Sequence, residues 1–226
     1  MTGRTVRGVL FDMDGVLVDS EYAMRESAKK ALHEWGVYPE DGDFIPFVGR
    51  GENKFVGGVA ERYGVPFVPE MKARAYEIYG DMAVRGEVTV YPGVKELLLW
   101  LSSRKTPMAV CSAADWVKVR HNLKAIGVEP EIFGAIVTGE DVKVNKPAPD
   151  IYLEGARRLG LSGSECVVAE DAVSGIRAAH AAGAAAVGIT TSFSAEELIR
   201  QAQPDAVVPD VSGLRAFLEA HLEKAR

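Results

Sequence analysis

The chain is short of cysteine, of excess basic charge and of long apolar runs, and each shortage excludes something. Its only two cysteines among 226 residues, Cys111 and Cys166, sit inside the apolar runs MAVCS and ECVVA. They read as core thiols of a reducing compartment, not as a disulfide scaffold. Lys plus Arg number 26 against 32 Asp plus Glu, a net charge of −6. With no basic cluster, the electrostatic footprint of a nucleic-acid binder is missing. No stretch reaches the about 18 apolar residues of a membrane helix, and no repeat of about 20 to 50 residues or low-complexity tract divides the chain. A first apolar run at 6–11 lies too close to Met1 to leave room for a signal peptide. The expectation is a cytoplasmic protein, with a removed organellar targeting segment left open. Its partner is a small ligand, not nucleic acid or membrane, and its state is a monomer or weak dimer.

What is present is ordinary globular composition, 47% hydrophobic and 26% charged, in a chain long enough to bury roughly 70% of its unfolded surface. Short apolar runs recur at 6–11, 108–111, 135–137, 166–169, 185–189 and 206–208, and read as buried strands. Between them, Trp116, Val119, Leu123 and Ile126 repeat at helical spacing, as do Leu214, Phe217, Leu218 and Leu222. Gly127, Gly160 and Gly183 stand where helices end, and Ser194 with Glu197 forms a capping box. This alternation predicts an α/β fold: a doubly wound, Rossmann-like parallel sheet with helices on both faces.

One interval breaks the pattern. Almost a hundred residues after the first strand read as helical throughout: Met24, Ala28, Ala31 and Trp35 up to Gly36, then 53–63 ending at Gly64, then Met71, Ala75, Ile78 and Met82. This predicts an inserted helical cap over 19–88, between the two parts of a core formed by 1–18 and 89–226.

Ligands of an open parallel sheet collect beyond the carboxyl ends of its strands. The residues there are Asp12, Asp14 and Gly15 after the first core strand, Ser112 after the second, Lys146 in the turn after the third, and Glu170 and Asp171 after the fourth. Four converging carboxylates repel one another unless a hard cation sits among them, and Mg²⁺ with oxygen ligands suits such a set. The lysine, together with a serine at a helix N-terminus, suits an anion such as phosphate. Taken singly, Ser112 is equally a helix N-cap, Lys146 an exposed loop lysine, and Glu170 with Asp171 a helix-start pair; their order along the chain favours the site.

The segments FDMDGVLVDSE, CSAAD, NKPAPDIY and VAEDAVSGIRAA resemble the four ordered motifs of the haloacid dehalogenase superfamily of phosphotransferases, and the resemblance covers essentially the whole chain. It implies that Asp12 attacks phosphorus to form an aspartyl phosphate, while Asp14 protonates the leaving oxygen and later activates water. It further assigns Ser112 and the Ala113 N–H to phosphate binding and Lys146 to charge neutralisation. Mg²⁺ falls to Asp12, the Asp14 carbonyl, Glu170 and Asp171. Dehalogenases of the superfamily lack the second acid, so Asp14 implies phosphoryl transfer.

The cap resembles that of the subfamily holding phosphoglycolate phosphatases, sugar-phosphate phosphatases and beta-phosphoglucomutase. Met24 stands where the mutases carry a histidine, and Val48 and Glu52 stand at their basic positions around Gly49. The expected function is therefore a Mg²⁺-dependent phosphatase acting on a small phosphorylated metabolite, sugar phosphates first. A sugar phosphomutase and a non-catalytic regulatory domain are the alternatives. Gly49, Arg50, Glu52 and Lys54 are the candidate substrate residues of the cap. The segment FIPFVGRGENKFVGGVA is also similar to the phosphatase-like domain of the chloroplast suppressor of quenching proteins, which names no substrate.

Overall fold

The first apolar run folds as β1 (Gly8–Phe11), shorter than its sequence pattern because Val6 is held instead in an isolated bridge to Leu222. The computed structural model describes residues 6–47 and 51–223, apart from the Glu52 side chain. After β1 the chain turns back through β2 (Val18–Asp19) and enters the inserted helices α1 (Glu21–His33), α2 (Glu52–Arg62) and α3 (Pro69–Val84). It returns through β3 (Thr89–Val90), which pairs antiparallel with β2 so that entry to and exit from the insertion lie side by side. Residues 41–43 and 45–47 are single 3₁₀ turns, so the insertion is not α-helical throughout.

The remaining elements alternate: α4 (Val94–Ser103), β4 (Met108–Cys111), α5 (Trp116–Ile126), β5 (Ala135–Val137), α6 (Asp150–Arg158), β6 (Cys166–Glu170), α7 (Val173–Ala181), β7 (Ala185–Ile189), α8 (Ala195–Ala202), β8 (Ala206–Val208) and α9 (Val211–His221). Six parallel strands form one sheet in the order β5-β4-β1-β6-β7-β8. All the apolar runs expected as strands are in it. Strand order reverses at β1, which opens a crevice at the carboxyl ends of β1 and its neighbours.

The period-2 geometry of a strand sends alternate residues to opposite faces, and the two cores show it. Val9, Phe11, Met108, Val110, Val167 and Ala169 pack with α4, α5 and α9. Leu10, Ala109, Cys111 and Val168 pack with α6, α7 and α8. Both cysteines are buried and free. The insertion continues the first of these cores: Met24, Ala28, Ala31 and Leu32 on α1 meet Met71, Ala75 and Met82 on α3. It is also tied to the sheet layer, because Tyr79 donates to the Asn122 side chain and Lys72 lies 2.7 Å from Asp115.

Candidate active site

The loop leaving β1 is folded tightly enough to bring its carboxylates against those leaving β6. The Asp12 N–H donates to the Ala169 carbonyl (3.0 Å) and Leu17 N–H to that of Met13 (2.9 Å). Gly15 has φ +79°, and a Cβ there would lie 1.9 Å from Asp171 Oδ2. Conformation and close approach both demand glycine.

Lys146 is the hub. Its Nζ lies 2.8 Å from Asp12 Oδ1 and 2.7 Å from Glu170 Oε1. Glu170, the last residue of β6, is fully buried but richly compensated: Tyr152 Oη donates to Oε1 at 3.0 Å, and the N–H groups of Asp171 and Ala172 donate to Oε2 at 2.8 Å each. A buried carboxylate persists only with such partners. Ser192 donates to Asp171 Oδ2.

Burial pushes the Asp12 carboxyl up to about 7; Lys146 opposes this and Glu170 adds to it. Burial likewise pushes Asp171 up to about 8, reinforced by Glu170 and Asp12. Burial works against the charge of Lys146, but Asp12 and Glu170 outweigh it and raise its pKa above the usual lysine value.

Oxygens of Asp12, Glu170 and Asp171 lie within 4.8 Å of one another. Of these three hard-oxygen donors Asp12 and Glu170 share one lysine, and burial and mutual repulsion resist ionisation of Asp12 and Asp171. This donor set fits a divalent cation. The carboxylate of Asp14 is engaged elsewhere: Lys118 Nζ lies 2.9 Å from Oδ2 and Ser20 donates to Oδ1.

Ser112 and Ala113 line the same cavity, of about 650 Å³, with Asp12, Asp14, Lys146, Glu170 and Asp171. Ser112, however, is not at the helix N-terminus. Asp115 occupies the N-cap position of α5, and the Trp116 N–H there is taken by Glu140 at 2.8 Å. Ser112 lies in the preceding loop, where its N–H donates to the Val137 carbonyl (3.0 Å) and its Oγ accepts from Ala114 N–H (3.2 Å). Gly139 backs that loop so closely that a Cβ would lie 2.3 Å from the Ala113 carbonyl oxygen. Lys143, the neighbour with which Lys146 could be confused, is exposed.

From the insertion, Ser20, Met24, Phe47, Gly51 and Phe55 line the cavity. Gly49 and Arg50 lie outside the described residues, as does the side chain of Glu52. Lys54 lines a second cavity with Phe47, Gly58, Glu61 and Arg62 instead. Ser20, Tyr152 and Lys118 are site residues that the sequence pattern does not single out. A lysine in the first turn of a helix opposes the dipole, and that misfit was the available signal for a local carboxylate.

Residues 6–183 match the family described as haloacid dehalogenase-like hydrolases, and the chain belongs to that family. It is 42% identical over 212 residues to the protein SUPPRESSOR OF QUENCHING 1, chloroplastic, of Arabidopsis thaliana, across 92% of this chain. It spans only 20% of that protein's length. It is 31% identical over 182 residues to the fructose-1-phosphate phosphatase of Escherichia coli (strain K12), across 80% of this chain and 95% of that enzyme. The crystal structure of CbbY from Rhodobacter sphaeroides in complex with phosphate shares the fold, with a TM-score of 0.81 at 24% identity, over 93% of this chain and 99% of that one.

Proposed function

We propose that the chain is a Mg²⁺-dependent phosphatase that hydrolyses a small phosphorylated metabolite of the sugar-phosphate type through an aspartyl-phosphate intermediate. Hydrolysis of phosphate monoesters accords with the family and with the phosphatase relative. The observation that carries the reading is the junction of Asp12, Lys146, Glu170 and Asp171 at the carboxyl end of β1.

In this reading Asp12 attacks phosphorus: a P–O bond to Asp12 forms, the ester P–O bond breaks, and Asp14 delivers a proton to the leaving alkoxide. Water then attacks the aspartyl phosphate, Asp14 takes its proton, and Asp12 and inorganic phosphate are released. Lys146 keeps Asp12 oriented and offsets the charge gathered around phosphorus. Ser112 and the Ala113 N–H hold phosphoryl oxygens. Mg²⁺, held by Asp12, Asp171, Glu170 and the Asp14 carbonyl, would supply charge neutralisation of the phosphoryl group. Met24, an apolar side chain on the cavity wall, offers no proton-transfer group where mutases of the resembling subfamily carry histidine, which favours water as the acceptor. Residues 1–18 with 89–226 serve as catalytic core and 19–88 as cap.

The test is phosphate release from a panel of small phosphate esters, with Mg²⁺ and with chelator, comparing the wild type with Asp12→Asn. Metal-dependent release abolished in the variant is the expected result. Release that survives Asp12→Asn overturns the covalent mechanism, and isomerised sugar phosphate in place of free phosphate overturns hydrolysis.

A further inference from the structure

The acids of the site leave β1 and β6, but another strand end reaches the same cavity. The apolar run of β7 is followed by Thr190, Thr191, Ser192, Phe193 and Ser194, and the middle three line the cavity together with Asp171. This segment is fixed at both ends. The Thr190 N–H donates to the Val208 carbonyl of β8 at 3.1 Å, and Ser194 caps α8 through a capping box with Glu197. The hydroxyls of Thr191 and Ser192 are carried on the short span between these anchors, which favours a fixed geometry.

Each hydroxyl serves a different loop. Thr191 Oγ1 donates to the carbonyl of Gly15, the residue after Asp14. Ser192 Oγ donates to Asp171 Oδ2. The two acceptors belong to groups already in contact, since a Cβ on Gly15 would lie 1.9 Å from Asp171 Oδ2. Adjacent residues of one segment thus clip the loop after β1 to the loop after β6.

The clip matters most at Asp171. Glu170 has Lys146, Tyr152 and two backbone N–H groups, and Asp12 has Lys146. Asp171 is not paired with that lysine, and among the described residues Ser192 is the side chain that donates to it. Oxygens of Asp12 and Glu170 lie within 4.8 Å of its own. Like charges at that range favour a rotamer turned away from them, into the cavity. A donor on Oδ2 opposes the turn. Hydrogen bonds of this kind keep a metal-binding carboxylate oriented and sustain the affinity of its site. The backbone of Gly15 has the freedom of a glycine at φ +79°, and a donor on its carbonyl restrains it.

We infer that Thr191 and Ser192 are positioning residues that set the affinity of the cation site. Ser192 holds the Asp171 carboxylate toward Asp12 and Glu170, and Thr191 holds Gly15 and, with it, the preceding Asp14 carbonyl. The inference rests on the Mg²⁺-dependent reading above and adds to it two residues that act through Asp171 and Gly15.

The experiment titrates metal-free protein with Mg²⁺ by calorimetry at one pH and ionic strength, in the wild type, Ser192→Ala, Ser192→Thr and Thr191→Val. Ser192→Ala is expected to raise the Mg²⁺ Kd about tenfold, the lower end for partners of metal ligands, because Ser192 is exposed. Thr191→Val should raise it by a smaller factor. Ser192→Thr keeps the hydroxyl and should recover most of the affinity. The Mg²⁺ concentration giving half-maximal phosphate release should rise in step with Kd, while the metal-free thermal midpoint moves little because both side chains are exposed.

A Kd unchanged in Ser192→Ala or in Thr191→Val overturns the inference. So does a loss that Ser192→Thr fails to recover, which would assign the effect to packing of the segment. Failure of the underlying reading looks different: the wild type itself shows neither heat of Mg²⁺ binding nor a Mg²⁺-induced shift of its thermal midpoint. The inference then falls with that reading, whereas the former outcomes overturn it in a protein that binds Mg²⁺ normally.

Discussion

Lys118 Nζ lies 2.9 Å from Asp14 Oδ2 while Ser20 donates to Asp14 Oδ1, so one carboxylate is gripped from both sides of the crevice. Lys118 comes from α5 of the sheet layer, and Ser20 is the residue from which α1 of the insertion starts. The lysine side chain is only 8% exposed. A buried ammonium is tolerated there because a carboxylate faces it. Lys118→Met is therefore expected to lower kcat by about ten- to a hundredfold with a smaller change in KM, the scale at which a displaced acid/base group costs turnover. Lys118→Arg should recover part of the loss. Steady-state kinetics on one good substrate measure both, and a kcat untouched in Lys118→Met would show that Asp14 is positioned without it.

Gly175 sits in the first turn of α7, where a Cβ would lie 1.5 Å from Glu170 Oε1. Glu170 cannot yield, because Lys146, Tyr152 and two backbone N–H groups hold it. Gly175→Ala is expected to cost about 1–3 kcal/mol of stability, as overpacking of a tight site does, and to abolish most phosphate release. Gly36 is the control. Its φ is +75° but nothing lies within 4 Å of its Cβ position, so Gly36→Ala should cost only about 1–2 kcal/mol and leave turnover intact. Phosphate release at matched folded fraction, set from chemical denaturation midpoints, separates the two, and equal losses of activity would sink the argument from the Glu170 contact.

The sheet was legible because its strands are short apolar runs, buried at every residue in the four central ones, and the site because its acids stand directly after those runs. Ser112 was placed a few residues wrongly: a hydroxyl after a strand looks like an N-cap, and only the folded loop 112–115 puts Asp115 there. Lys118 was not legible as the partner of Asp14, since a lysine in a first helical turn signals a nearby carboxylate but a contact across 104 residues does not say which one. Tyr152 was likewise hidden. Its place in α6 reads as core, and the carboxylate it serves comes from the neighbouring strand.

Tyr79 of α3 donates to the Asn122 side chain of α5, with both residues fully buried. Removing the hydroxyl leaves a buried acceptor without that donor. Tyr79→Phe is expected to destabilise by about 1–3 kcal/mol, which for a chain of this size lowers the thermal midpoint by about 2–4 °C per kcal/mol. Calorimetry measures it. A midpoint that does not fall would mean that this hydrogen bond does not help hold the insertion to the sheet layer.

The carboxyls of Asp12 and Asp171 are pushed up, to about 7 and about 8, first of all by burial, whereas an unfolded aspartate titrates near about 3.9. The folded state thus holds these protons more tightly than the unfolded chain. Their contribution to stability is fully present below about pH 4 and is lost as pH rises toward about 7–8. A divalent cation at Asp12, Glu170 and Asp171 competes with the same protons, so its stabilising effect must grow over that window. The expected result is a Mg²⁺-induced rise in thermal midpoint that is small near about pH 5 and levels off near about pH 8, where carboxylates no longer have to be deprotonated for binding. Asp171→Asn should raise the metal-free midpoint at the upper pH, because one buried charge is gone, and should remove most of the Mg²⁺ response. A response of equal size at both pH values would mean that the cation does not displace protons from these two residues, and would move it away from the junction of β1 and β6.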